Sequence, residues 1–183
     1  LSKPRQIIKS KDSMGGSYLG PKFKEDDIEK SLIKLGANFN KYDNKTLSDK
    51  IAKELKEGKI VGWFQGRMEF GPRALGCRSI IADPRSENMQ KNLNLKIKFR
   101  ESFRPFAPSI LREDLNNWFE LNCDSPYMLL CADVKETIRI QENEKTKELF
   151  GIERLNVKRS LIPAVTHVDY SARIQTVHKE TNP

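Results

Sequence analysis

The apolar positions of this chain change period several times, and each change marks an element. Ile28, Leu32, Ile33 and Leu35 recur at helical spacing and predict a helix over 26–35, stopped by Gly36. Leu47, Ile51, Ala52 and Leu55 repeat the pattern, predicting a second helix over 46–57 that ends at Gly58. Thr46 and Asp49 stand at capping-box spacing at its start. A short apolar run over 60–64 reads as a strand, and 79–82 as a second. Helical character returns over 86–95, with Ser86 as N-cap. Pro105 and Pro108 disfavour helix and leave 106–111 extended. A short helix over 114–121 carries Trp118 and Phe119, and 127–134 reads as a buried strand. The stretch 135–160 is dense in charge and is expected to be a mobile excursion. From 164 to 177 the alternation suits one strand or a bent pair. Residues 1–24 are polar, with Pro4, Gly15, Gly16, Gly20 and Pro21, and read as a linker or tail. The organised domain is therefore expected over 25–183. Strands and helices alternate unevenly, which predicts an α/β or α+β domain with a mixed sheet and flanking helices.

Composition narrows the class. A length of 183 residues supports one domain with a real core, and 37% hydrophobic with 32% charged residues suits a globular chain with a large polar surface. The net charge of +8 favours acidic partners, such as nucleotides, nucleic acid or anionic membranes. No run approaches the ~18 apolar residues of a membrane span, so no membrane is expected as a partner. The first residues lack the apolar core of a signal peptide. Cys77, Cys123 and Cys131 are odd in number and widely spaced, and with two histidines they form no zinc-site pattern. That usage fits reduced thiols in a cytoplasmic protein.

The charge concentrates between Gly62 and Pro108. From Arg67 to Arg100, eight basic residues stand against Glu69, Asp83 and Glu87. Gly66, Gly71, Pro72 and Gly76 surround Arg67, Arg73 and Arg78. Such turns let backbone N–H groups approach an anion while arginine forks grip phosphate or carboxylate oxygens. The alternative is that these arginines pair with Glu69, Asp83 or Asp124 as scaffold. Glu69 itself is expected to orient an arginine. In an extended segment Lys98 and Arg100 would share one face, with Phe99 turned into the core; the alternative for this triplet is a basic edge strand. Arg104 would extend the same wall, and Ser109 could bond an amide. His167 and Asp169 are expected to alternate on the late strand with Arg173 beyond them, either lining the site or serving as scaffold. Trp63, Phe64 and Trp118 read as core.

Several long words of this region recur in one order: GRMEFGPRALG, RSI, ADPR, KFRESFRPFAPS and AVTHVDYSARIQTV. From about Gly58 to Pro183 they resemble the C-terminal domain of the O-carbamoyltransferases of nodulation and antibiotic tailoring. The resemblance implies a YrdC-like twisted mixed sheet that binds ATP as co-substrate, with Mg²⁺ allowed, and carbamoyl phosphate, and makes carbamoyl-adenylate. A separate N-terminal, metal-containing transferase domain then serves a hydroxyl acceptor such as a sugar or antibiotic; no metal site is assigned in this chain. It implies Lys98, Arg100 and Arg73 as catalytic residues, and Arg67, Arg73, Arg78, Lys98, Arg100, Arg104 and Arg173 as the nucleotide-binding set. A further Ser-x-Asn phosphate element is expected beyond Pro183, which would leave the domain incomplete here. The competing reading is a basic YrdC-like nucleic-acid-binding module without catalysis. Against it, the basic residues are not interleaved with the aromatic residues of an RNA-reading surface, and nucleic acid is the less favoured partner.

Overall fold

A computed structural model describes residue 12 and residues 14–181. Helix α1 (Glu25–Lys34) carries Glu25, Asp26 and Asp27 in its first turn, where the helix dipole favours them. Gly36 beyond its end takes φ +65°, as a helix stop requires. Helix α2 (Asn44–Lys56) starts two residues before the expected position. Its cap is Asp43, whose carboxylate accepts the Thr46 N–H at 3.0 Å and the Thr46 hydroxyl, and this replaces the predicted Thr46–Asp49 box. Neither helix buries a residue.

Strands β1 (Val61–Phe64) and β2 (Arg78–Ile81) form an antiparallel pair joined by the long glycine-rich loop 65–77. After β2 come α3 (Met89–Leu93) and a π-helical turn (Asn94–Lys98). Asn88 rather than Ser86 stands at the N-cap of α3, although the Ser86 carbonyl accepts the Met89 N–H at 3.2 Å. Next are β3 (Ser109–Leu111), a 3₁₀ turn (Arg112–Asp114), α4 (Leu115–Trp118) and β4 (Leu130–Asp133). Short helices α5 (Glu144–Lys147) and α6 (Ile152–Leu155) precede β5 (Ser171–Val177).

The second sheet has the order β3-β5-β4, with β3 parallel and β4 antiparallel to β5. The mixed α+β class stands, and its strands divide between two sheets. The last strand lies in the middle for a reason legible in its own composition. Ala172 and Ile174 are fully buried on one face, and Arg173 and Gln175 alternate onto the other. The apolar face meets Leu115, Phe119, Val134, Ile162 and Val165 to form the main core. A smaller cluster joins Met89, Leu93 and Ala164.

Three expectations change. β4 is an edge strand with Leu130 and Cys131 exposed, because only β5 covers one of its sides. The 135–160 excursion is closed at its base, where Arg139 bridges Ser160 in antiparallel pairing and Ser160 is buried, while Phe150 and Ile152 between them are exposed. Phe64 is exposed, and Trp63 is half-buried. Trp118 does pack against the main core.

Ile174→Ala should cost about 2–5 kcal/mol, because it opens a cavity in the central strand's buried face. Ile80→Ala on the exposed face of β2 should change stability by about 0.5 kcal/mol or less. Urea unfolding of the two variants checks the contrast.

Candidate functional site

The loop between β1 and β2 is organised around one oxygen. Glu69 is 6% exposed, and its Oε1 accepts the backbone N–H groups of Leu75 at 2.8 Å, Cys77 at 2.6 Å and Arg78 at 3.2 Å. Burial raises the carboxyl pKa and the N–H donors lower it; the donors prevail, and Glu69 sits below its ordinary value of 4.5. Glu69 therefore orients main chain, and the expected arginine partner is not its role. Gly71 and Gly76, at φ +142° and +113°, supply the turns that bring three amides to one oxygen. On the outer side the loop is paired with residues 17–20: Phe70 N–H donates to Ser17 O, and Gly20 N–H to Met68 O. A Cβ on Gly20 would stand 2.9 Å from that carbonyl oxygen, so the approach needs glycine.

The three loop arginines have different fates. Arg78 donates to the carbonyls of Gln65, Cys77 and Gly66, and its guanidinium carbon lies 3.4 Å from the Phe64 ring centroid. That stacking explains why an aromatic side chain sits outside the core. Arg67 donates to Gly20 O at 2.8 Å. Arg73 makes no hydrogen bond or ion pair with any described residue and is half-buried at the tip.

The second basic segment is organised by Asn94, which is fully buried. Its amide nitrogen donates to Ser102 O and Arg104 O, and its side-chain oxygen accepts from Arg100 Nε at 2.6 Å. The Arg100 N–H returns to Asn94 O, closing a compact loop. The extended triplet of the sequence reading is thus replaced by a π-helical turn and a left-handed Phe99 at φ +48°. Phe99 is 85% exposed instead of buried, because this backbone turns it outward. Lys98 is exposed and free of described partners, Arg100 also lies over Phe106, and Arg104 pairs with Glu101 at 2.8 Å.

β5 links this region to the arginine loop. Gln175 is buried, accepts from Ser109 Oγ at 2.8 Å, and donates to Leu75 O at 2.8 Å. Arg173 shares its face, and its Nε is buried without an acceptor among the described residues. His167 and Asp169 lie in the turn before β5 rather than on a strand. His167 Nδ1 meets Ser171 Oγ at 3.0 Å, and Asp169 accepts the Ser171 N–H. Burial first, and Arg173 after it, push His167 below its ordinary value, outweighing the pull of Asp169. Asp83 and Asp124 pair with Arg85 and Arg112, not with the loop arginines.

Sequence reasoning missed Asn94 and Gln175. A signal existed for Gln175, which shares the polar phase of its strand with Arg173. Asn94 had none, since it sits in what reads as plain helix.

Fold and site together define a small α+β module that presents cations on loops pinned by buried polar side chains. The profile of the carbamoyltransferase C-terminus matches residues 52–183. An uncharacterized protein of Synechocystis sp. is 56% identical over 97% of this chain, covering 29% of its own length. Nodulation protein NolO of Bradyrhizobium diazoefficiens is 37% identical over the whole chain and 30% of its own length. The 3'-hydroxymethylcephem-O-carbamoyltransferase of Amycolatopsis lactamdurans is 39% identical over 74% of this chain and 22% of its own length. The chain belongs to the carbamoyltransferase C-terminal family, and it spans between a fifth and a third of the length of these relatives.

Glu69→Ala strands three N–H donors and should cost about 3 kcal/mol or more, while Glu69→Gln, which keeps an acceptor oxygen, should cost less. Because the folded pKa is depressed, the carboxylate's contribution is present above 4.5 and is lost as pH falls through the lowered folded value. Urea unfolding from pH 7 downward should show that acid loss in the wild type and a smaller one in Glu69→Gln.

Proposed function

We propose that this chain is the donor-activating module of an O-carbamoyltransferase. It binds ATP and carbamoyl phosphate and forms carbamoyl-adenylate, which a separate transferase domain delivers to a hydroxyl acceptor. The observation that carries the reading is the split of duties among the basic residues. Arg78, Arg67 and Arg100 are committed to the loops, and Arg73 and Lys98 are left without partners among the described residues, on backbones that buried Glu69 and Asn94 hold in place. Both residues lie within the span that matches the family.

Water first hydrolyses carbamoyl phosphate to carbamate and inorganic phosphate; a carbamate oxygen then bonds to the α-phosphorus of ATP as the bond to the leaving pyrophosphate breaks. The protein's task is to position the chain of phosphates and to neutralise the charge that gathers on it. Arg73 offers a rigid fork and Lys98 a mobile point charge, a complementary pair for a triphosphate and its leaving group. Arg100 and Arg104 add positive charge beside Lys98, and Arg173 adds a buried donor on β5. The fixed backbone means that little reorganisation is needed when the anion arrives. The acceptor is a hydroxyl-bearing small molecule, the class named for the cephem relative.

Calorimetric titration tests the reading. ATP should bind the wild-type chain, and Lys98→Ala and Arg73→Ala should each weaken it about ten-fold, the value of one charge-assisted contact. Carbamoyl phosphate should alter the ATP isotherm. Unchanged ATP affinity in both variants would remove these residues from the nucleotide site, and binding of duplex RNA without any response to ATP would favour a nucleic-acid module instead.

A further inference from the structure

We propose a second anion-binding site, in the cleft between α3, residues 102–105 and residues 155–168. It takes a small molecule that joins one phosphate or carboxylate group to an apolar body. The cleft has a volume of about 570 Å³, within the range of small-molecule sites. None of Arg67, Arg73, Arg78, Lys98, Arg100, Arg104 or Arg173 lines it.

Its defining residue is Arg159, a wall residue only 4% exposed. Nη1 and Nη2 donate to the carbonyls of Val157 and Arg154, which fixes the guanidinium in place. Among the described residues its buried Nε meets no acceptor, and no carboxylate lies within ion-pair distance. A buried cation without a counter-charge is costly, and carbonyl dipoles compensate it only in part. The rest of the wall does not supply the missing charge. Lys91 is exposed and makes no ion pair with any described residue, and Lys158 is tied to Glu87 at 2.7 Å. Glu87 is the only carboxylate in the lining, so Lys91, Lys158 and Arg159 leave a surplus of positive charge in a concave, partly desolvated space.

The remaining lining describes the body of the ligand. Phe103, Pro105, Leu155, Val157 and Val168 give it an apolar wall. His167 also lines the cleft; with Nδ1 engaged by Ser171 Oγ, its Nε2 is met by no described residue and can bond a polar group of the ligand. Free inorganic phosphate would meet the charge but not the apolar wall.

The test is an amide NMR titration of the full chain at fixed ionic strength with phenyl phosphate, benzoate and inorganic phosphate as probes. Phenyl phosphate or benzoate should shift the amides of residues 156–159 and 166–168 and bind about ten-fold tighter than inorganic phosphate. The tighter of the two names the head group. Lys91→Ala should weaken binding about ten-fold, and Arg73→Ala and Lys98→Ala should leave it unchanged. Arg159→Met should abolish binding where circular dichroism shows a native fold. Should that variant unfold, Lys91→Ala decides. Absence of those shifts at millimolar phenyl phosphate and benzoate, or their loss in Arg73→Ala or Lys98→Ala rather than Lys91→Ala, overturns the proposal.

Discussion

One carboxylate oxygen holds this protein's most unusual loop. Glu69 Oε1 gathers the backbone N–H groups of Leu75, Cys77 and Arg78, and it does so away from water. Buried main-chain donors without acceptors would be expensive, so the loop 65–77 exists in this shape because that oxygen is there. The consequences spread outward. Arg78 can spend its donors on neighbouring carbonyls, and Leu75 O is presented to Gln175 at the centre of the second sheet. The arginine loop and β5 are thereby one polar unit joined across the two sheets.

Asn94 repeats the device on a neutral side chain. It fixes the 94–104 segment through two carbonyls and the Arg100 guanidinium, so that a stretch with poor prospects of regular structure acquires a single path. Positive charge is therefore of two kinds here. Arg78, Arg67 and Arg100 are structural, because their donors meet carbonyl or amide oxygens. Arg73 and Lys98 are held out from those pinned backbones without described partners. The proposed nucleotide site would draw on both kinds, since like charges brought together on a mobile loop would move apart before a ligand arrived.

The family words and the physical hubs coincide. Glu69 lies inside GRMEFGPRALG, and Gln175 inside the late SARIQTV word. Residues that a reader takes for nucleotide contacts stand beside residues whose work is to hold main chain, and the sequence does not label them differently. Helices α1 and α2 carry the opposite lesson. Their period is correct, yet neither buries a residue and even Leu47, Ile51 and Leu55 of α2, which touches β1, are only half-buried, so amphipathic spacing established the helix without establishing what it packs against.

What the sequence determined by itself was local and periodic. The helices expected over 26–35 and 46–57 and the strands over 60–64 and 79–82 form within two residues of those bounds, and the alternation of β5 and the mixed α+β class follow likewise from spacing, glycine stops and proline bars. The long family words also fixed the family. Tertiary structure decided the rest, because it depends on partners distant in the chain. Nothing local says that the last strand takes the centre, that 127–134 holds an edge, or that Phe64 leaves the core to stack on Arg78. Lys98 and Arg100 read as neighbours on one face of an extended strand only while Asn94, four residues before Lys98, is counted as ordinary helix. Once its amide captures Ser102 O and Arg104 O, the segment turns at a left-handed Phe99, which is exposed, and the extended triplet is lost. The capture is a contest between side-chain and main-chain hydrogen bonds inside a buried space, and only the folded chain settles which groups are close enough to compete.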